Sequence, residues 1–213
     1  MSLPLVYVVD DEQPMRESLR FLLETVRLQV KTYESAPKFL SEFDPELNAV
    51  LVTDLRMPGM SGIELHEHLY RNGHRIPVII ITAHGDVPTV VRAMKQGACE
   101  FLEKPFNDQI LIDAIQRLLE QDRERRIKAE ANRQVAQKLR SLTPRELQVL
   151  ELVVEGRINK QIASELGVGV KAIEAHRARI MDKMQAESVQ ELVRMMTLLR
   201  QSPEYANPLR PSY

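Results

Sequence analysis

The 213-residue sequence has a single cysteine, Cys99, which rules out an intrachain disulfide and a cysteine metal cluster. Cys99 lies inside a strand-like apolar run, where a buried structural thiol is expected. No apolar stretch reaches the roughly 20 residues that a membrane-spanning helix needs. The start, Met1-Ser2-Leu3-Pro4, lacks the basic segment followed by an apolar one that marks an export signal, so a cytoplasmic protein is expected. Internal repeats and low-complexity tracts are missing. The histidines show no metal-ligand spacing, and His66, His68 and His74 are expected on the surface of a helix and its exit loop.

A large excess of one charge is also missing, the formal net charge being −1. That balance conceals two unlike halves. Residues 1 to 120 carry 12 Lys+Arg against 18 Asp+Glu, a net of −6, while residues 121 to 213 carry 17 against 12, a net of +5. Only the basic second half suits nucleic acid. The length allows one or two domains, each with a sizeable core.

What is present begins with Val50-Leu51-Val52-Thr53-Asp54, an apolar run ending in a carboxylate and followed by Leu55-Arg56-Met57-Pro58-Gly59. It reads as a strand buried on both faces, with Asp54 at its carboxyl end, where open parallel sheets bind ligands. Three more runs end comparably: Leu5 to Val9 before Asp10-Asp11-Glu12, Val78 to Ile81 before Thr82-Ala83, and Ala98 to Leu102 before Glu103-Lys104-Pro105. In a parallel sheet these place three carboxylates, a hydroxyl and an ammonium at one rim. Clustered carboxylates repel unless a cation sits among them, and Mg²⁺ suits an oxygen site that also takes phosphate.

In order and spacing, Asp10-Asp11, Asp54, Thr82 and Lys104-Pro105 resemble the receiver domain of two-component response regulators over about the first 120 residues. The resemblance implies a flavodoxin-like receiver with Asp54 as phosphate acceptor. It implies Mg²⁺ held by Asp11, Asp54 and the backbone carbonyl of Arg56, with Asp10 acting through water. Thr82 would hydrogen-bond the phosphoryl oxygens, and Lys104 would pair with them.

Along the chain, strand and helix alternate to residue 120, the pattern of an α/β doubly wound, five-stranded parallel sheet. Helices are expected from Pro14 to Val26, from Ser35 and Pro37 to about Phe43, after the Ser61-to-Glu64 capping box, from Asp86 to Lys95, and from Asn107 onward. A second strand covers Gln29 to Tyr33, and Pro77 marks the start of the fourth. Residues 121 to 140 read as a polar helical linker carrying Ile127, Ala131, Val135 and Leu139 four apart. That stripe is either a solvated continuation of the preceding helix or a dimer seam.

From residue 141 to 200 an all-α domain is expected. Thr143, Pro144 and Glu146 form a helix start with a capping box. Asn159 is expected to cap a short helix ending at Leu166, Gly167-Val168-Gly169 to turn the chain, and a longer basic helix to run from about Val170 to Met184. That is a helix-turn-helix. Ser188 and Glu191 form another expected capping box, and the proline-containing tail, 201 to 213, is expected to be disordered.

Leu142 to Leu150, with Asn159-Lys160-Gln161-Ile162-Ala163 and Glu174-Ala175-His176-Arg177, resembles the LuxR-type DNA-binding domain, and the chain as a whole is similar to the FixJ branch of response regulators. Within that resemblance Lys171, Glu174 and Arg177 are the candidates for reading base edges, and Arg179 and Lys160 for phosphates. His176 either bonds the sugar-phosphate backbone or packs between helices. Gly169, Val170 and Ala172 depart from the Ser, Pro and Thr of many relatives, which leaves the exact start of the recognition helix open.

These resemblances imply a transcriptional regulator phosphorylated by a sensor histidine kinase. Charge added at Asp54 would draw Thr82 inward and let Phe101 follow, repacking one face so that the DNA-binding domain is released or pairs with a second copy. The implied partners are double-stranded promoter DNA, a second copy of the chain when phosphorylated, and RNA polymerase. Arg56 and His84, two residues beyond Asp54 and Thr82, are candidates for controlling water access to the acyl phosphate. Two other classes stay open. A Mg²⁺-dependent aspartyl-phosphate hydrolase typically has a second Asp two residues after the acceptor, where this chain has Arg56. A phosphate-independent protein-binding receiver would have no need of Asp10, Asp11 and Lys104.

Overall fold

The computed structural model describes residues 4–83 and 100–202. The chain divides into two compact units, residues Met1–Arg126 and Ile127–Tyr213. The first is built on a parallel sheet of β1 (Leu5–Val9), β2 (Gln29–Tyr33), β3 (Ala49–Asp54), β4 (Val78–Thr82) and β5 (Glu100–Glu103), in the order β2-β1-β3-β4-β5. The described helices among these strands are α1 (Gln13–Thr25), α2 (Ala36–Glu42), α3 (Gly62–Arg71) and α4 (Asp108–Arg140). β5 is described from Glu100, and Ala98 at the start of the expected apolar run lies outside the described residues. Cys99, His84, the helix expected over 86 to 95, and the tail from residue 203 lie outside the described residues.

β1, β3 and β4 are buried along both faces, which is why they read as unbroken apolar runs. Side chains alternate across the sheet. Tyr7, Leu51 and Ile80 pack with Phe39, Leu65 and Leu69, whereas Val8, Val52 and Ile81 pack with Leu19 and Leu23 of α1 and Leu111 and Ile115 of α4. The expected Ser61–Glu64 capping box is complete, and Ser35 caps α2. His66 is buried at 5% exposure, its ring beside Tyr70, so the surface placement expected for it is corrected. It lies one residue after Leu65 and three before Leu69 on the inward face of α3, and that face overrides its polarity.

The second unit contains α5 (Pro144–Val154), α6 (Asn159–Leu166), α7 (Val170–Met184) and α8 (Val189–Gln201). Leu150, Val153, Ile162, Ile173, Ile180, Met184, Leu192 and Met196 form its core, joined by Ala136 and Leu139 from the last turns of α4. The interval-of-four stripe therefore divides. Ile127 and Ala131 are exposed, Val135 is half-buried, and Leu139 is buried in this core. The Thr143–Glu146 box forms as expected. Two other caps differ. α6 starts at Asn159 itself, behind Ile158, which has no capping side chain, and Gln161 Oε1 accepts from the Ile158 N–H at 3.1 Å; Glu191 accepts from the Glu187 N–H at 2.9 Å, leaving Ser188 to cap α8 alone. α7 begins at Val170 behind Gly169, also without a side-chain cap.

Candidate functional site

The direction of the connections reverses between β1 and β3, where an open parallel sheet leaves a crevice at the strand ends. Val9 stands opposite Thr53 in that ladder, so the next residues, Asp10 and Asp54, end side by side. Thr82 stands opposite Glu103, and the Lys104 N–H donates to the Thr82 carbonyl at 2.8 Å. Lys104 is thereby carried to the same rim. Its Nζ donates to Asp54 Oδ1 at 2.9 Å and to Asp10 Oδ2 at 3.4 Å. Asp54 Oδ2 accepts from the Arg56 N–H at 2.6 Å, and Asp10 Oδ1 from the Glu12 N–H at 2.8 Å.

Asp10 is only 3% exposed, whereas Asp11 lies at the exposed rim. Burial pushes the Asp10 carboxyl above the usual carboxylate range. The Glu12 amide and the Lys104 ammonium oppose that rise without cancelling it, and the Asp54 charge adds to it. For Lys104 burial acts downward, but the hydrogen bond to Asp54 and the charges of Asp10 and Asp54 outweigh it, so the ammonium is held more firmly than usual. One ammonium shared by two carboxylates leaves the pocket short of positive charge. Among the described residues no three carboxylate, imidazole or thiolate groups are already gathered as a metal cage. The donor set of hard oxygens and the only partly offset charge at Asp10 nevertheless fit a divalent cation such as Mg²⁺.

Thr82 is buried, and Phe101 on β5 is half-buried against the apolar layer that holds Ile80. Arg56 is exposed at the mouth, while its proposed companion His84 lies outside the described residues. Two contributors escaped the reading of the strand ends. Arg16 Nη1 donates to the carbonyls of Asp10 and Asp11 at 2.8 and 2.9 Å, bracing the acidic loop from the first turn of α1. A cation there opposes the helix dipole, and that oddity was its only sequence signal. Gly62 packs under Asp54, where a Cβ would overlap the Asp54 carbonyl oxygen and crowd the Thr53 side chain. A glycine directly after the capping Ser61 was the available hint.

In the second unit α6 and α7 form the helix-turn-helix, turned by Gly167 at φ +66°. Lys160, Lys171, Glu174 and Arg179 are exposed, His176 and Arg177 half-buried. His176 Nδ1 is buried without a hydrogen-bond partner. Arg177 Nη1 donates to Asn159 Oδ1 at 3.0 Å, and so the Asn159 side chain braces α7 and does not cap α6.

Residues 6–116 match the family described as "response regulator receiver domain", and residues 140–196 the one described as "bacterial regulatory proteins, luxR family". The chain belongs to the response regulators that join a receiver to a LuxR-type helix-turn-helix domain, and it is a phosphorylation-activated, DNA-binding transcriptional regulator. Within that class it is 46% identical to the transcriptional regulatory protein FixJ of Azorhizobium caulinodans over 95% of both chains. The solved response regulator StyR is 48% identical, covering 92% of this chain and 99% of its own, with a TM-score of 0.83. Full-length FixJ from B. japonicum is 40% identical, covering 93% and 98%, with a TM-score of 0.56. Receiver domains of this family generally use Mg²⁺, and a sensor kinase and DNA are the partners that the two domains imply. No described helix is long and apolar enough to cross a membrane.

Proposed function

We propose that Asp54 accepts the phosphoryl group. The observation that carries this reading is the convergence of Asp10, Asp54 and Lys104 at the switch point of the sheet. In the transfer an Asp54 carboxylate oxygen bonds to phosphorus as the bond between phosphorus and the kinase histidine nitrogen breaks, giving an acyl phosphate. Asp10, Asp11, Asp54 and the Arg56 carbonyl would hold Mg²⁺, which when bound offsets carboxylate and phosphoryl charge. Lys104 turns from the bare carboxylates to the new oxygens, and the Thr82 hydroxyl donates to them. Phe101 follows Thr82 and repacks the surface of the first unit.

The second unit then engages promoter DNA, Lys171 and Glu174 at base edges and Lys160 and Arg179 at phosphates. The half-buried His176 sits between backbone contact and helix packing. Residues 1–120 act as receiver, 121–140 as linker and 141–200 as the DNA-binding domain. Two phosphorylated copies occupy a two-fold site, and RNA polymerase is recruited there. The protein works as a cytoplasmic switch without catalytic turnover, since position 56 is Arg where a hydrolase needs a second acid. Phosphorylation with a small phosphodonor followed by a DNA-shift assay tests the reading. Wild type gains a shifted band on phosphorylation, and Asp54→Asn does not. Activation of Asp54→Asn under the inducing signal would refute Asp54 as the switch.

A further inference from the structure

Arg177 is the one candidate base reader that is not free to meet a base edge. Lys171 and Glu174 are exposed, whereas Arg177 lies four residues after the fully buried Ile173 and three before Ile180, and is half-buried. At 3.6 residues per turn those two neighbours put it close to the core-facing side of α7, turned towards α6. There it lines an open cleft of 630 Å³ whose lining also includes Arg157 and Lys160, with the apolar Val153, Val170 and Val189. Its guanidinium donates to Asn159 Oδ1. A helix-turn-helix lays its second helix in the major groove while the helix before it crosses the sugar-phosphate backbone. The α6 edge is therefore where phosphates pass.

We propose that Arg177 grips a DNA backbone phosphate at this cleft, and that Asn159 is the positioning residue that presents its guanidinium. The inference rests on the DNA-binding reading of the second unit. It removes Arg177 from the base-reading set and explains why Asn159, a residue type suited to capping, does not cap α6. The guanidinium has five N–H donors in a planar fork, so one can go to Asn159 while others face a phosphate; a lysine ammonium lacks that fork.

The test uses the full-length, beryllofluoride-loaded chain and a duplex that wild type selects from a random pool, with its single-base variants and a scrambled duplex, over a salt series. Arg177→Ala is expected to weaken selected and scrambled duplexes by the same factor, about tenfold, and to lower the slope of log affinity against log salt by about 1. Arg177→Lys keeps the slope but loses affinity. Asn159→Ala weakens binding several-fold in the wild type and adds nothing in the Arg177→Ala background. Melting curves that match wild type separate loss of grip from loss of fold. Relaxed preference at one base pair with an unchanged slope, or additive effects of the two alanine variants, would overturn the inference while leaving DNA binding intact. Failure of wild type to select any duplex would overturn both.

Discussion

At Asp54 both carboxylate oxygens already have partners, Lys104 on one and the Arg56 amide on the other. Asp10 has the same pair of partner types but is buried more deeply, so it is the carboxyl that burial pushes up. The acidic loop needs a brace to hold that arrangement, and Arg16 supplies it through two backbone carbonyls. Groups that orient metal ligands without touching the metal typically change affinity by about 10- to 100-fold when removed. Arg16→Ala is accordingly expected to weaken Mg²⁺ binding about tenfold in titration calorimetry, with only a small fall in melting temperature. An unchanged Mg²⁺ affinity would show that the loop holds its shape unaided.

Among the elements, α3 approaches β3 so closely that only glycine fits at its first position. Gly62→Ala is expected to destabilise the first unit by about 1–3 kcal/mol and to slow phosphorylation by a small phosphodonor, since the added methyl presses on the Asp54 carbonyl. In the second unit the α5 cap is tied to α7. Glu146 is 2% exposed and accepts from the Thr143 N–H at 2.9 Å and from Lys183 Nζ at 2.7 Å. The Lys183 ammonium and the Thr143 amide hold its carboxyl down at about 2. Its folded value lies below the ordinary 4.5, so its stabilisation is complete above that pH and is lost as pH falls towards 2. Acid unfolding of the second unit, followed by helical circular dichroism, should therefore steepen between those values, and Glu146→Gln should flatten that dependence. Lys183→Met is expected to cost about 1–3 kcal/mol near neutral pH. In α4 the side chain of Asp122 is buried between Arg125 and Arg126, and Arg126 also donates to the Pro45 carbonyl at 2.9 Å. That polar anchor explains how a stretch expected to be either a solvated continuation or a dimer seam belongs to the first unit up to residue 126.

For the whole molecule, the charge asymmetry is the property with a direct consequence. The first 120 residues carry −6 and the remainder +5, so the receiver repels the polyanion that the other part seeks. Removing residues 1 to 120 is expected to strengthen non-specific duplex binding several-fold at low ionic strength, the gain fading as salt screens it. Anisotropy titrations at two salt concentrations check this; equal affinities at low salt would show that the acidic half has no reach. Most of this architecture was legible in the chain. β1, β2 and β4 fall where buried apolar runs or alternation place them, and the capping boxes at Ser61 and Thr143 form as their spacing requires, because such signals depend only on residues a few positions apart. The carboxylates and Lys104 were legible as well, since each closes a strand whose end a parallel sheet must align with its neighbours.

The sequence by itself determined the strands, the two helix-turn-helix elements and the identity of the rim residues, all set by local periodicity and by chain direction. Only the tertiary structure decided that Lys104 bridges Asp10 and Asp54, that Arg16 holds the acidic loop, that His66 is buried, and that Asn159 serves Arg177 and not the end of its own helix. Each of these is a choice among partners brought near by packing of segments distant in the chain or on another turn of helix. A hydrogen-bonding side chain carries no mark in one dimension of which of its possible partners will be close enough to win.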